Sequence, residues 1–181
     1  MSHVTLVDPR HTTADRAAVL STIHQAFGTV PNMFRAVAHS PAALKSMWGS
    51  FGALSGGTLP ARLTEQIAVA VADRNQCAYC LAAHTALGRK AGASAEEMAA
   101  AQAGRSSDPA TAAALAFALK LVEHRGQVSA GDVQAVRAAG FSEEAVVEII
   151  AHVALNLFTN YVNVALDVPV DFPQVKLRMT A

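Results

Sequence analysis

The sequence predicts an all-α protein of about eight helices, and three observations support this fold class. Alanine, which has the highest helix propensity, forms runs such as 99–101 and 112–114. Capping residues and glycines recur at intervals of about one helix length. Short apolar stretches such as Ile67–Ala72 contain too many alanines for strands and sit inside helical patterns. With 181 residues, 52% of them hydrophobic, the chain is expected to form one domain over 1–181.

The helix boundaries follow from capping residues, prolines and glycines. Ser40 followed by Pro41 combines an N-cap with a proline at the first helical position, and Asn75 can cap another helix. Ser94-Ala95-Glu96-Glu97 has the pattern of a capping box, and glycines end most segments. The tail 168–172 is expected to be extended or irregular. These signals predict a short helical segment near 31–39 and eight longer helices over about 13–27, 41–56, 61–74, 76–91, 95–104, 109–125, 130–140 and 143–167.

The balance of charges argues against several classes of function. Lys and Arg together number 14, Asp and Glu together also number 14, and the formal net charge is +0. Nucleic-acid binding requires clustered basic residues, which the sequence lacks. No secretory signal is expected, because no basic stretch followed by an apolar run opens the sequence. No uninterrupted apolar run is long enough to predict a membrane span. We therefore expect a cytoplasmic protein without nucleic-acid or membrane partners.

The residues that carry chemistry lie between Glu65 and His84, in the pattern Glu-x11-Cys-x2-Cys-x3-His. If 76–91 is helical, Cys77 and Cys80 are i,i+3 neighbours, and Cys80 and His84 are i,i+4 neighbours. All three side chains then share one helical face. Glu65 lies on the preceding helix and reaches His84 if the two helices fold back as a hairpin. We therefore expect a Glu65–His84 pair beside the two thiols.

This arrangement predicts cysteine-based redox chemistry that needs no cofactor and no bound metal. A thiol becomes nucleophilic when it ionises, and both the helix N-terminus and His84 favour ionisation of Cys80. We expect Cys80 to attack a peroxide oxygen and become a sulfenic acid, with which Cys77 condenses to a disulfide. His84 handles the protons and Glu65 fixes the imidazole tautomer. An external dithiol then reduces the disulfide by attacking Cys77, which we expect to be the more accessible sulfur.

Other interpretations of the cysteine pair remain open. Simple core packing is one, and a zinc site is another, because the four motif residues are all potential zinc ligands. A thioredoxin-type site is not expected, since no βαβ pattern precedes the motif. A non-peroxidase thiol-disulfide oxidoreductase, or a redox-switched binding or chaperone-like protein, would also use such a pair.

A second polar feature lies on the last long helix. His152, Asn156, Asn160 and Asn163 form one polar stripe among Val, Leu and Phe. Buried amides need hydrogen-bond partners, so the stripe is consistent with a polar seam in the core or at a subunit interface. Alternatively, His152 or Asn156 lines the substrate pocket.

The motif Glu65-x11-Cys77-x2-Cys80-x3-His84 resembles the core motif of alkylhydroperoxidase D (AhpD) position for position. The resemblance covers roughly residues 25–173. Its flanking segments are similar to the peroxidase-related branch of the carboxymuconolactone decarboxylase superfamily. These segments are Val30-Pro31-Asn32-Met33-Phe34, the Gly57-x-Leu59 approach to the motif, and Phe158–Asn163 before Asp171-Phe172-Pro173.

This resemblance implies an AhpD-like helical fold, alkylhydroperoxidase activity, and a homo-oligomer, whether dimer, trimer or hexamer. It implies Cys80 as the peroxide-attacking cysteine and Cys77 as the resolving one. The reductant would be an external dithiol, such as a lipoyl-bearing or thioredoxin-like protein. AhpD has a histidine directly before the second motif cysteine, where this chain has Tyr79. A phenol exchanges protons poorly near neutral pH, so we expect Tyr79 to contribute to substrate binding instead.

Overall fold

Nine α-helices and no strand make up the part of the chain that the computed structural model describes, residues 2–178. The predicted all-α fold is confirmed, and the short segment after Pro31 forms a helix of its own. In chain order the helices are α1 (Ala14–Phe27), α2 (Asn32–Val37), α3 (Pro41–Leu54), α4 (Ala61–Arg74), α5 (Ala78–Lys90), α6 (Ala95–Gln102), α7 (Pro109–Glu123), α8 (Ala130–Ala138) and α9 (Glu143–Ala165).

Helix α4 lies at the centre of the fold. Its residues 66–73 are all buried, because the sequence there is apolar on nearly every side of the helix. Helices α5, α6, α7 and α9 pack around it. Helix α3 packs on α1, α2 and α9, and α2 also packs on α9. The central helix therefore holds its neighbours in a fixed arrangement, including the two helices that contribute most of the site described below.

Most helix starts agree with the sequence signals. The side chains of Ser40, Ser94, Asp108, Ser129 and Ser142 each accept a hydrogen bond from the backbone N–H three residues further on. Asn75 does not cap α5, contrary to expectation. Gln76 adopts a left-handed conformation with φ 54°, which ends α4, so the next helix starts only after Cys77.

Helix α9 is the longest helix, and its composition alone would allow it to cross a membrane. In its most apolar window 44% of the residues are buried inside the fold, and α9 contacts α2, α3, α4, α5, α7 and α8. It packs as a core helix. Four large apolar side chains on its outer face stay exposed: Val147, Ile150, Tyr161 and Val164.

The loop before α4 is fastened to α9 by one carboxylate. Glu148 accepts hydrogen bonds from the backbone N–H of Thr58, at 2.8 Å, and of Leu59, at 3.1 Å. Gly57 allows this approach, because a Cβ atom there would lie 2.7 Å from the Glu148 carboxylate. The carboxylate of Glu148 therefore holds this loop against α9.

The irregular tail after α9 is fixed at two places. The backbone N–H of Asn32 donates to Asp171 at 2.8 Å. Further on, the backbone N–H of Arg178 donates to the buried carboxylate of Asp73 at 2.9 Å, and Gln102 donates to the same carboxylate at 2.7 Å. The tail thus runs across the end of the α4–α5 pair.

Two helical glycines allow a test of this packing. A methyl group on Gly88 of α5 would lie 2.4 Å from Met98 of α6 and 3.3 Å from Cβ of Glu65, whereas one on Gly49 would meet no described atom within 4 Å. In an open helix interior, alanine stabilises by about 0.5–1 kcal/mol relative to glycine. We expect Gly49→Ala to raise the free energy of unfolding by that amount. Gly88→Ala should lower it by about 1–3 kcal/mol, because the buried Met98 must move.

Denaturant unfolding of the two variants beside the unmodified protein measures the difference. A Gly88→Ala variant as stable as Gly49→Ala would contradict the close packing of α4, α5 and α6.

Candidate active site

The turn between α4 and α5 places the motif residues. With Gln76 in its left-handed conformation, the backbone N–H of Cys77 donates to the carbonyl of Ala72 at 2.9 Å. The chain reverses there, and the two helices pack against each other as a hairpin. The hairpin brings Glu65 and His84 together, with Nδ1 of the imidazole 2.7 Å from Oε2 of the carboxylate. Because an ionised carboxylate only accepts hydrogen bonds, Nδ1–H of His84 is the donor.

Glu65 controls the charge of His84. Both side chains are largely withdrawn from solvent, with 20% and 12% of their surfaces exposed. Burial lowers the pKa of the imidazole, but the charge of Glu65 and its hydrogen bond outweigh burial. The pKa of His84 therefore lies above its usual value, which favours the protonated ring.

The two cysteines lie at the start of α5. Cys77 is the N-cap residue, and its sulfur accepts a hydrogen bond from the backbone N–H of Cys80 at 3.3 Å. Both thiols are free. The expectation that Cys77 is the more accessible sulfur is wrong, because the exposed fractions of Cys77 and Cys80 are 1% and 2%. As an N-cap, the Cys77 side chain turns back over the first turn of the helix.

Helix α9 adds a direct partner that the sequence analysis did not single out. Nδ2 of Asn163 donates to Sγ of Cys80 at 3.1 Å. Oγ1 of Thr159 lies 4.0 Å from the same sulfur. Asn160 is also buried, and its Oδ1 accepts a hydrogen bond from Asn75 at 2.9 Å. The polar stripe on the last helix was the available signal, but its spacing does not state which of its members faces the cysteines.

Of the two thiols, Cys80 is the one whose pKa is lowered. Burial raises the pKa of this thiol, but the hydrogen bond from Cys77, the charge of His84 and the Asn163 amide outweigh it and lower the pKa to about 6. The hydrogen bond with Cys80 and burial raise the pKa of Cys77 well above its usual value. The site therefore pairs a Cys80 thiol whose pKa is lowered to about 6 with a Cys77 thiol whose pKa is raised, beside an imidazole whose protonated form Glu65 favours.

A small apolar cavity opens onto the sulfur of Cys80, and we call it the thiol chamber. Its volume is about 40 Å³, which leaves space for two or three water-sized groups. His84 and Thr159 are the polar groups beside the sulfur. The remaining walls are apolar or aromatic: Phe27, Pro31, Met33, Phe34, Phe51, Tyr79, Ala83, Leu87 and Phe172.

A second cavity, which we call the polar chamber, shares His84 with the thiol chamber but does not reach Cys80. Its volume is about 190 Å³, and Glu65 lines it. His152 and Asn156, expected near the substrate, lie here rather than in the thiol chamber. Nδ2 of Asn156 donates to the backbone carbonyl of His152 at 2.8 Å. Burial lowers the pKa of His152.

Tyr79 lines the thiol chamber, and its hydroxyl accepts the backbone N–H of Met33 at 3.2 Å. Its ring meets the ring of Phe172 edge-on, with centroids 5.7 Å apart. Burial raises the pKa of the phenol. Tyr79 therefore stays neutral and links α5 to α2 and to the tail.

The zinc interpretation finds no geometric support. Across residues 2–178, no three His, Cys, Asp or Glu side chains come together as ligands of one ion. Nδ1 of His84 is directed at Glu65, and the Cys77 sulfur is bonded to the backbone of its own helix.

Comparison with known proteins agrees with this geometry. The sequence profile of the carboxymuconolactone decarboxylase family matches residues 41–124, which contain all four motif residues. No curated protein matches the chain. Among solved structures, the chain is similar to a peroxidase-related protein with an alkylhydroperoxidase AhpD core from Ralstonia eutropha JMP134. The two are 26% identical and superpose with a TM-score of 0.86 over 94% of this chain and 92% of that one.

Two further structures share the fold. A peroxidase-related protein from Silicibacter sp. TM1040 is 23% identical, with a TM-score of 0.81 over 93% of this chain and 91% of that one. The debrominase Bmp8 is 24% identical, with a TM-score of 0.79 over 93% and 91% of the two chains. The family profile, the helical architecture and the motif geometry lead to one conclusion: the chain is similar to the carboxymuconolactone decarboxylase family over residues 41–124 and has an AhpD-like helical fold.

Proposed function

We propose that the protein is a thiol-dependent hydroperoxide reductase in which Cys80 attacks the peroxide. The observation that carries this proposal is a buried Cys80 that lines the thiol chamber, with its thiol pKa lowered to about 6 and the Glu65-bonded His84 one helical turn away. A thiolate is the reactive form of cysteine toward peroxides. The apolar walls exclude water from the reaction and suit the organic part of a hydroperoxide better than a charged substrate.

In the first step the Cys80 thiolate attacks the terminal oxygen of the hydroperoxide. A sulfur–oxygen bond forms and the oxygen–oxygen bond breaks, so that the sulfur is oxidised by two electrons to a sulfenic acid. The other oxygen leaves as an alkoxide, which takes the proton of His84 and departs as an alcohol. Glu65 supports this step because it keeps the imidazole protonated and oriented.

In the second step the sulfur of Cys77 attacks the sulfur of Cys80. A disulfide bond forms, the sulfur–oxygen bond breaks, and hydroxide leaves with the thiol proton as water. His84, which is neutral after the first step, carries that proton. Cys77 is well placed, because its sulfur already contacts the first turn of α5 at the backbone of Cys80.

An external dithiol returns two electrons and is itself oxidised to a disulfide. Both protein sulfurs are almost completely buried, so a bulky surface cysteine cannot reach them directly. A dithiol on a slender arm, such as a lipoyl group, fits this burial better than a thioredoxin-like protein surface does. The small volume of the thiol chamber also favours a narrow reductant.

Reductive dehalogenation is a second candidate. The debrominase Bmp8, solved in complex with 2,3,4-tribromopyrrole, has the same fold, and the thiol chamber here has aromatic walls. In that reaction the Cys80 thiolate would take the bromine, the ring carbon would take the proton of His84, and Cys77 would displace bromide. The same disulfide would result, so the substrate alone distinguishes the two candidates.

We also propose that the protein assembles into a homo-oligomer through the outer face of α9. Val147, Ile150, Tyr161 and Val164 are 42–64% exposed there. Large apolar side chains grouped on one exposed helix face are typical of subunit interfaces.

The first prediction concerns the oxidation product. We expect one equivalent of an organic hydroperoxide to remove two hydrogens from the reduced protein, as Cys77 and Cys80 form a disulfide. The Cys77→Ser variant should instead gain one oxygen at Cys80, and the Cys80→Ser variant should consume no peroxide. Intact-protein mass spectrometry measures the two mass changes, and an assay of the remaining peroxide measures consumption by Cys80→Ser. Peroxide consumption by Cys80→Ser would refute the role given to Cys80.

Treating the reduced protein with each candidate substrate in turn separates the two candidate functions. Bromide release from 2,3,4-tribromopyrrole, with disulfide formation and no reaction with hydroperoxides, would assign the protein to dehalogenation.

The second prediction concerns pH. Since the pKa of Cys80 is lowered to about 6, its alkylation rate should rise with pH to a plateau near neutrality, whereas a free thiol has its midpoint near pH ~8.5. His84→Ala removes a positive charge and should raise the midpoint by about one unit or more, with a large rate loss at pH 7 and little at pH 9. Glu65→Gln should cause a smaller shift in the same direction.

Peptide-resolved mass spectrometry of iodoacetamide-treated protein measures the rate at Cys80. The exposed His24 supplies a matched control, and His24→Ala should leave the midpoint unchanged. Identical profiles for His84→Ala and the unmodified protein would exclude His84 from the activation of the thiol.

The third prediction concerns assembly. Sedimentation at micromolar concentration should give a mass that is a multiple of 18.8 kDa. Replacing Tyr161 and Val164 by glutamate should shift the distribution toward the monomer, because charges would be buried at the interface. Replacing the exposed Lys45 of α3 by glutamate is the control and should leave the mass unchanged. A monomer in the unmodified protein contradicts the proposal.

A further inference from the structure

Two buried carboxamides, Asn160 and Asn163, lie one turn apart on α9 near the turn that carries the cysteines, and each has one atom without a hydrogen-bond partner among the described residues. Asn163 donates from Nδ2 to Sγ of Cys80, while its buried Oδ1 makes no hydrogen bond to any described residue. Asn160 is the mirror case: Oδ1 accepts from Asn75, and the buried Nδ2 has no partner within residues 2–178. Both side chains are buried, with 3% and 0% exposed.

Such atoms call for a physical reason. Buried polar atoms in folded proteins are almost always hydrogen-bonded, because an unpaired one loses its bonds to water and gains nothing in return. Here one unpaired acceptor and one unpaired donor belong to amides one turn apart on α9. Asn163 donates to the sulfur of Cys80, and Asn160 is hydrogen-bonded to Asn75, at the turn just before Cys77. This arrangement is explained if the amides complement another state of Cys80, one that brings an additional donor and acceptor.

The sulfenic acid is that state. Conversion of the thiolate to S–O–H adds one oxygen that can accept a hydrogen bond and one hydrogen that can be donated. The groups left unpaired there are one amide NH2 and one carbonyl oxygen, so the sulfenic oxygen finds a donor and the sulfenic hydrogen finds an acceptor.

We propose that Asn160 and Asn163 form a carboxamide clamp for the sulfenic acid of Cys80. In the clamp, Nδ2 of Asn160 donates to the sulfenic oxygen, and Oδ1 of Asn163 accepts the sulfenic hydrogen. This inference rests on the proposed function, because the peroxide step supplies the oxygen. Asn163 thereby forms a hydrogen bond with both oxidation states of Cys80. Its Nδ2 donates to the thiolate, and its Oδ1 accepts from the sulfenic acid.

The clamp has a consequence for the fate of the enzyme. A sulfenic acid is consumed either by Cys77, which closes the disulfide, or by a second peroxide, which oxidises it further to sulfinic acid. Further oxidation requires the sulfenic sulfur to act again as a nucleophile, in its ionised form. A hydrogen bond donated by the sulfenic hydroxyl to Oδ1 of Asn163 holds the acid protonated and disfavours this reaction. The clamp therefore protects Cys80 until Cys77 reacts.

The experiment uses the Cys77→Ser background, in which the sulfenic acid cannot be resolved. After one equivalent of hydroperoxide, the remaining sulfenic acid is trapped with dimedone at successive times, and the yield of sulfinic acid is measured with excess peroxide. We expect Asn160→Leu and Asn163→Leu each to shorten the lifetime of the sulfenic acid by about 3- to 10-fold, the range that one hydrogen bond contributes. Thr111→Val removes a buried polar group of α7 that lines neither chamber and should leave the lifetime unchanged.

Isosteric variants provide a second test that does not depend on tolerance of leucine. Asn160→Asp loses the donor and should shorten the lifetime. Asn163→Asp keeps an acceptor but loses the donor to the thiolate, so it should raise the alkylation midpoint of Cys80 by about one pH unit and shorten the lifetime less. A purely structural role for these residues would not separate the two readouts in this way.

The outcome that overturns the clamp is a sulfenic acid that forms normally and whose lifetime is the same in all four variants as in the Cys77→Ser parent. Failure of the proposed function looks different, because then the parent itself forms no sulfenic acid with any hydroperoxide.

Discussion

The burial of one negative charge is the constraint on which the rest of the site depends. Cys80 is almost completely withdrawn from water, and burial alone would keep its thiol neutral. The charge is stable there only because groups from separate helices meet at one sulfur: Cys77 and His84 from α5, and Asn163 from α9. Glu65 of α4 acts through His84. The relative positions of three helices are therefore part of the chemistry.

The fold supplies that precision through close contacts rather than through flexible loops. Gly88 lets α5 lie near α6 and α4, and Gly57 lets the loop before α4 meet the Glu148 carboxylate of α9. Packing at this density transmits a small displacement of any one helix to the sulfur. His84 lies where the thiol chamber and the polar chamber meet, so one ring can exchange protons on a polar side while the sulfur stays in apolar surroundings.

Local interactions explain what the sequence could predict. Serine and aspartate N-caps bond to a backbone group only three residues away, so their positions follow from the sequence alone. The Glu65–His84 contact required only one further assumption, that two adjacent helices fold back on each other. The sequence does not identify Cys77 as the N-cap of α5, because thiols are not among the preferred capping residues and the left-handed Gln76 carries no distinctive sequence signal. Asn163 and Cys80 are 83 positions apart, and the periodicity of α9 predicts a polar stripe without specifying what it faces. For the same reason, the sequence does not show that His152 and Asn156 line the polar chamber whereas Asn163 contacts Cys80.

The hydrogen bond between the two cysteines also imposes an order of events. As long as Cys80 is a thiolate, its hydrogen bond and charge hold the pKa of Cys77 high, and the second sulfur is an inert thiol. Once Cys80 carries an oxygen its negative charge is gone, and the main cause of that inertness disappears with it. In the proposed reaction, the second cysteine therefore becomes reactive only after the first has been oxidised. In that reaction, this order protects Cys77 of the resting protein from other reagents without any moving part.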